Sequence, residues 1–188
     1  FVRRLGISTR YPGVLGIGYS ERALGEAERS ALIRRRRAAR GFAPFRIWPA
    51  EPRPEYHSIL FLSPLDRRNL AAIGYDMSTE PVRRVAMERA RDLGRSVASG
   101  RVTLVQEIDQ AKQPGFLIYT PVYRGGMVPG TVEARRRLLQ GYVYSPLRAY
   151  DLFGTVFPAG PARLADLAIY GGPPAPDNLP FLRGPKEA

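Results

Sequence analysis

Apolar and polar positions alternate over several short stretches of this chain and recur at helical spacing over a few longer ones, which predicts a mixed fold of strands and helices. Tyr11–Tyr19 reads as a short buried strand after a turn at Tyr11-Pro12-Gly13. Ser20 has the character of an N-cap, with Glu21 in the first turn, and predicts a helix reaching about Arg40. Residues 41–56 carry Pro44, Pro49, Pro52 and Pro54 and predict an extended connection. A strand at His57–Leu62 follows, then a turn at Ser63-Pro64-Leu65-Asp66, and Leu70–Tyr75 leads into a break at Asp76.

The next helix has the clearest pattern. Ser78 or Thr79 suits its cap, Glu80 its positive end and Pro81 its first turn. Val82, Val85, Ala86, Ala90, Leu93 and Val97 predict its core-facing stripe, and Gly100 its end. Two strands are predicted at Val102–Ile108 and Gly115–Tyr123, the second apolar enough at Phe116–Thr120 to be central. A glycine-rich loop, Arg124–Gly130, precedes a basic helix from Thr131 to about Leu139. Gly141–Tyr144 reads as a strand, Pro146–Phe153 as a helix and Leu164–Tyr170 as a last strand. The tail from residue 173, with Pro173, Pro174, Pro176, Pro180 and Pro185, reads as loosely ordered. The pattern is α+β: antiparallel strands with helices packed on one face.

Composition changes this picture little. With 188 residues, 44% hydrophobic and 24% charged, the chain is long enough to bury a core without a disulfide or metal. It has no cysteine, which removes thiol chemistry and Cys-based metal sites. His57 is the only histidine, beside the apolar Ile59-Leu60-Phe61-Leu62, and reads as structural; no metal or cofactor is expected. Gly13, Gly16 and Gly18 match neither a dinucleotide fingerprint nor a P-loop.

Charge raises a second reading. The net charge of +12 rests almost wholly on arginine, with Lys112 and Lys186 the only lysines, and such a balance suits a basic nucleic-acid-binding domain. Against it, no zinc-finger spacing or RNP-like motif is present, and the one run, Arg34–Arg37, surrounds a helix instead of striping it. Nucleic acid is therefore not the expected partner. An enzyme with paired carboxylates such as Asp76 and Glu107 is a third reading, which no spacing supports. No run of 18 apolar residues predicts a membrane helix, and a start at Phe1 suits a piece of a longer protein.

Five stretches in order then resemble one family: YPGVLGIGYSERA at Tyr11–Ala23, the segment from His57 to Gly94 that contains GYDMSTEP, VTLVQE at Val102–Glu107, GFLIYTPVYRGG at Gly115–Gly126, and TVEARRRLLQGYVYSPLRAYDLF at Thr131–Phe153. These resemble CHASE domains, the sensors of receptor histidine kinases and nucleotide cyclases, plant cytokinin receptors included. The resemblance implies an α+β fold of tandem PAS-like modules with antiparallel sheets, the N-terminal stalk helix missing. It implies a membrane-distal module over about 41–130, a membrane-proximal one from about 1–40 with 131–172, and a tail at 173–188. It further implies an extracytoplasmic (periplasmic) setting between transmembrane helices of a parent protein, a homodimer formed through the stalk, and no catalysis by the domain itself.

Site residues follow from the resemblance too. Asp76 stands where an aspartate in plant receptors meets the adenine ring, flanked by Tyr75 and Met77. Leu104 and Val105 match backbone contacts, Tyr119 replaces a family threonine and reshapes the pocket, and Tyr142 with Tyr144 would line the far side. The implied ligand is a small organic molecule, adenine-like or otherwise. From the residues alone Asp76 reads first as a turn or capping aspartate, and core packing suits each of the three tyrosines at least as well as a ligand does.

Overall fold

A computed structural model describes residues 6, 10–39, 44–156, 168–170 and 182–183. Their fold is α+β around a six-stranded antiparallel sheet. In chain order come β1 (Ile17–Leu24), α1 (Gly25–Ala38), β2 (Glu55–Ser63), α2 (Arg67–Ala72), a single 3₁₀ turn (Met77–Thr79) and α3 (Pro81–Leu93). Then follow β3 (Val97–Ala98), β4 (Val102–Thr103), β5 (Pro114–Tyr123), α4 (Val132–Leu138), β6 (Leu139–Arg148) and α5 (Ala149–Val156). The strand order is β2-β1-β6-β5-β3 with β4 also on β5, an order compatible with a PAS-like module. A separate ribbon pairs β7 (Ala168–Ile169) with β8 (Leu182–Arg183).

One face of the sheet carries the main core, and the other is covered only in part by the described residues. Along β5 and β6, Leu117, Tyr119, Tyr123, Tyr142 and Tyr144 are buried while Ile118, Thr120 and Val143 are exposed, the period of two expected of a half-covered sheet. α3 covers the inner face: Ala86, Met87 and Ala90 join Met77, Ile59, Leu104, Leu117 and the tyrosines in the main core. α1 closes one end, where Ala23, Leu32, Phe45, Ile47, Tyr56 and Leu60 form a smaller cluster.

Several predicted elements shift. Ser20 does not cap a helix: it lies inside β1, fully buried opposite Tyr142, and the helix starts five residues later at Gly25. Pairing on both edges of β1 outweighs the capping preference of one serine. α3 ends at Gly94, left-handed at φ 67°, and not at Gly100, since Val97 and Ala98 pair with β5. Its cap is Glu80, whose carboxylate accepts from the amides of Val82 and Arg83, while Ser78 and Thr79 sit in the 3₁₀ turn before it. Its buried face is Arg83, Ala86, Met87 and Ala90; Val82, Val85 and Leu93 are exposed.

Of the strand predicted at Val102–Ile108 only Val102–Thr103 pairs, and turns follow. Pro146 belongs to β6, which runs to Arg148, so the helix begins at Ala149. The strands at His57–Leu62 and Gly115–Tyr123 and the helix capped by Thr131 form as predicted. Of Leu164–Tyr170, Ala168–Ile169 is a strand and residues 164–167 lie outside the described residues; so does the tail, apart from Leu182–Arg183. The stretches expected to form two modules, 41–130 and 1–40 with 131–172, meet in one sheet, because β1 pairs with β2 and β5 with β6.

Gly74 sets the approach to Asp76. Its φ of +84° and its closeness to the Arg46 carbonyl leave no place for a Cβ, which would stand 2.0 Å from that oxygen. The turn lets Trp48 donate to Gly74 O and Asp76 to Trp48 O, which lays the Trp48 segment along Tyr75.

Candidate functional site

Asp76 is fully buried at the start of the 3₁₀ turn. Its Oδ1 accepts from the His57 amide at 2.9 Å, the Ser78 amide at 3.1 Å and the Ser78 hydroxyl at 2.7 Å. Its Oδ2 accepts from Arg53 Nη1 at 2.8 Å. The aspartate therefore joins β2, the 3₁₀ turn and the proline-rich segment through charge-assisted hydrogen bonds. The capping role of Asp76 is what these bonds show: it caps a turn, and its remaining oxygen is held by an arginine.

The other expected residues converge on the same covered face. Tyr75 lies 4.7 Å from Trp48 by ring centroids and its hydroxyl accepts from Thr79 Oγ1. Met77, Leu104, Tyr119, Tyr142 and Tyr144 are each at most 2% exposed and share one core, with Val105 packed against it. Tyr119 contacts Tyr142 edge-on at 5.9 Å and lies 6.3 Å from Tyr144. This closeness follows from register: Tyr119 faces Tyr144 across β5 and β6, and residues two apart share a face.

The three hydroxyls fare differently. Tyr142 donates to Met87 O at 2.9 Å. Tyr119 donates to the Met77 thioether at 3.8 Å, a weak acceptor, and its oxygen is in reach of the Arg83 guanidinium. Tyr144 has no partner at all among the described residues. Burial pushes all three well above the ordinary tyrosine range, so each is a neutral O–H donor.

Sequence reasoning missed Arg83. It is 2% exposed, its guanidinium lies 5.4 Å over the Tyr75 ring, and Nη2 donates to Thr103 O at 3.0 Å. Its Nε has no hydrogen bond; the nearest carboxylate oxygen, on Glu80, is 3.8 Å away. The charge reaches the tyrosines as well: it opposes burial at Tyr119 and at Tyr144. The signal was its position in the helix, three residues before Ala86 and seven before Ala90, on the buried face.

Beside this core a cleft of about 430 Å³ opens between β2 and α3. Of the expected residues only Tyr142 lines it; Arg53, His57, Arg84, Met87 and Arg91 are among the others. In its wall Glu55 accepts from Arg22 Nε at 2.7 Å and meets His57 Nε2 at 2.8 Å. Burial raises the Glu55 pKa, but the hydrogen bonds and charges of His57 and Arg22 outweigh it and hold the carboxyl at about 2. His57 thus has a structural partner, while its buried Nδ1 has none.

The carboxylates weighed as a catalytic pair each have their own arginine. Glu107 accepts from Arg148 Nε at 2.8 Å, as Asp76 does from Arg53. Among the described residues no group of three or more His, Asp or Glu side chains could hold a metal ion. No described helix is long and apolar enough to cross a membrane.

No curated protein matches the chain. The family model for the CHASE domain, a sensory and extracytoplasmic domain of signalling receptors and not a catalytic one, matches residues 1–181. With nearly its whole length matched and the sheet built from the stretches that carry the resemblance, the chain belongs to the CHASE domain family.

Proposed function

We propose that this domain senses a small molecule outside the cytoplasmic membrane for a bacterial receptor of the histidine kinase or diguanylate cyclase type. Its ligand would sit between the sheet and α3, among Tyr75, Met77, Leu104, Val105, Tyr119, Tyr142 and Tyr144. The supporting observation is the buried hydroxyl of Tyr144, without a partner among the described residues, beside that of Tyr119, whose O–H finds a thioether as its acceptor. Buried polar groups are nearly always satisfied, and a site that leaves a donor idle has a use for an acceptor. The adjoining cleft, walled by Met87 and Tyr142, would be the way in from solvent. Asp76 would touch a ligand only by giving up Arg53, its single partner on Oδ2.

Binding would bias the receptor by differential affinity for its signalling arrangement, passed on through a homodimer and the flanking membrane helices. The test is a thermal-shift screen of the domain against adenine derivatives, amino acids and organic acids. A saturable rise in melting temperature, weakened in the double variant Tyr119→Phe, Tyr144→Phe, supports the site. A ligand bound equally well by that variant rules it out.

A further inference from the structure

The groups left idle or weakly paired at this site are all donors. Tyr119 and Tyr144 each offer an O–H, and Arg83 offers an N–H at Nε on a full positive charge. Among the described residues the acceptors at hand are few: the Met77 sulfur is a poor one, the Tyr119 oxygen already meets Arg83, and Glu80 caps α3 through both carboxylate oxygens. A guanidinium that is 2% exposed, with one carbonyl bond, the Tyr75 ring at 5.4 Å and a carboxylate oxygen no nearer than 3.8 Å, has no close anionic partner among the described residues. The surroundings are otherwise apolar, from Leu104, Leu117, Met77 and Ala86, so a charge met there is weakly screened.

Resting on the site proposed above, we infer that its ligand is a small organic carboxylate, whose oxygens take the Arg83 guanidinium and the hydroxyls of Tyr119 and Tyr144. A carboxylate supplies up to four acceptor positions and no donor, which matches the donors that these three side chains hold.

The test compares small carboxylic acids (amino, hydroxy, oxo and aromatic acids) with the amide of each, and with adenine, by calorimetric titration and thermal shift. The expected result is an acid that binds at least about tenfold more tightly than its amide to the unaltered domain. The same acid should lose at least about tenfold in affinity in Arg83→Gln. Because the acid-to-amide ratio is read on the unaltered protein, the inference stays testable even if Arg83→Gln folds poorly. Equal binding of acid and amide, or no binding by any acid, overturns the carboxylate. Binding of adenine or an amide that depends on the Tyr119 and Tyr144 hydroxyls overturns the carboxylate but leaves the site. Binding indifferent to those hydroxyls overturns both.

Discussion

Arg53 Nη1 stands 2.8 Å from Asp76 Oδ2, and the carboxylate is fully buried while the arginine side chain keeps 18% of its surface. The pair closes a gap of 23 residues and pins the proline-rich segment to the 3₁₀ turn before α3. Asp76→Ala strips Arg53, two backbone amides and the Ser78 hydroxyl of their acceptor at once. It is expected to cost about 3 kcal/mol in urea unfolding, with Arg53→Ala costing less and the two together less than their sum. Strict additivity would mean that the pair is not coupled.

Gly74→Ala tests the turn that delivers Asp76. The substitution meets both a left-handed φ of +84° and the Arg46 carbonyl 2.0 Å from the new Cβ. A loss of about 2 kcal/mol or more is expected, together with faster amide exchange at Trp48 and Asp76. An unchanged melting point would show that the Trp48 segment contributes nothing to stability.

Tyr144→Phe and Tyr142→Phe should part company in the ligand-free domain. The first removes a hydroxyl without a partner and is expected to leave stability unchanged or raise it by up to about 1 kcal/mol. The second deletes the bond to Met87 O and should cost about 1 kcal/mol. Calorimetric melting of both variants decides it, and a clear loss in Tyr144→Phe would reveal a partner for that hydroxyl.

Glu55 sets part of the acid dependence. Its pKa is about 2 in the fold against an ordinary 4.5, so its contribution is complete above about pH 4.5 and is lost as pH falls toward 2. The stability gap between the unaltered domain and Glu55→Gln, measured by urea midpoints from pH 7 to pH 2, should therefore be widest near neutrality and close in acid. A gap that stays constant across that range would remove the carboxylate's charge from the explanation.

Much of the fold was legible in the chain. The runs His57–Leu62 and Gly115–Tyr123 are too apolar, and too short between their breaks, to be anything but strands, and Thr131 caps the helix that its spacing promises. Composition excluded thiol and cysteine–metal chemistry outright. The order of five stretches pointed to the family. These properties are local or cumulative, and a sequence carries both.

Tertiary structure decided the rest, because pairing and packing depend on residues far apart. Ser20 has the chemistry of a cap, yet partners at Tyr142 and Ile59 draw it into a strand. The buried face of α3 is set by the sheet beneath it, which takes in Arg83 and leaves Val82 and Val85 outside. Above all, Tyr119, Tyr142 and Tyr144 look alike as letters. Only the cross-strand register and the crossing of α3 give Tyr142 a carbonyl, Tyr119 a thioether and Tyr144 no partner among the described residues, and so separate a well-paired hydroxyl from a weakly paired one and an idle one.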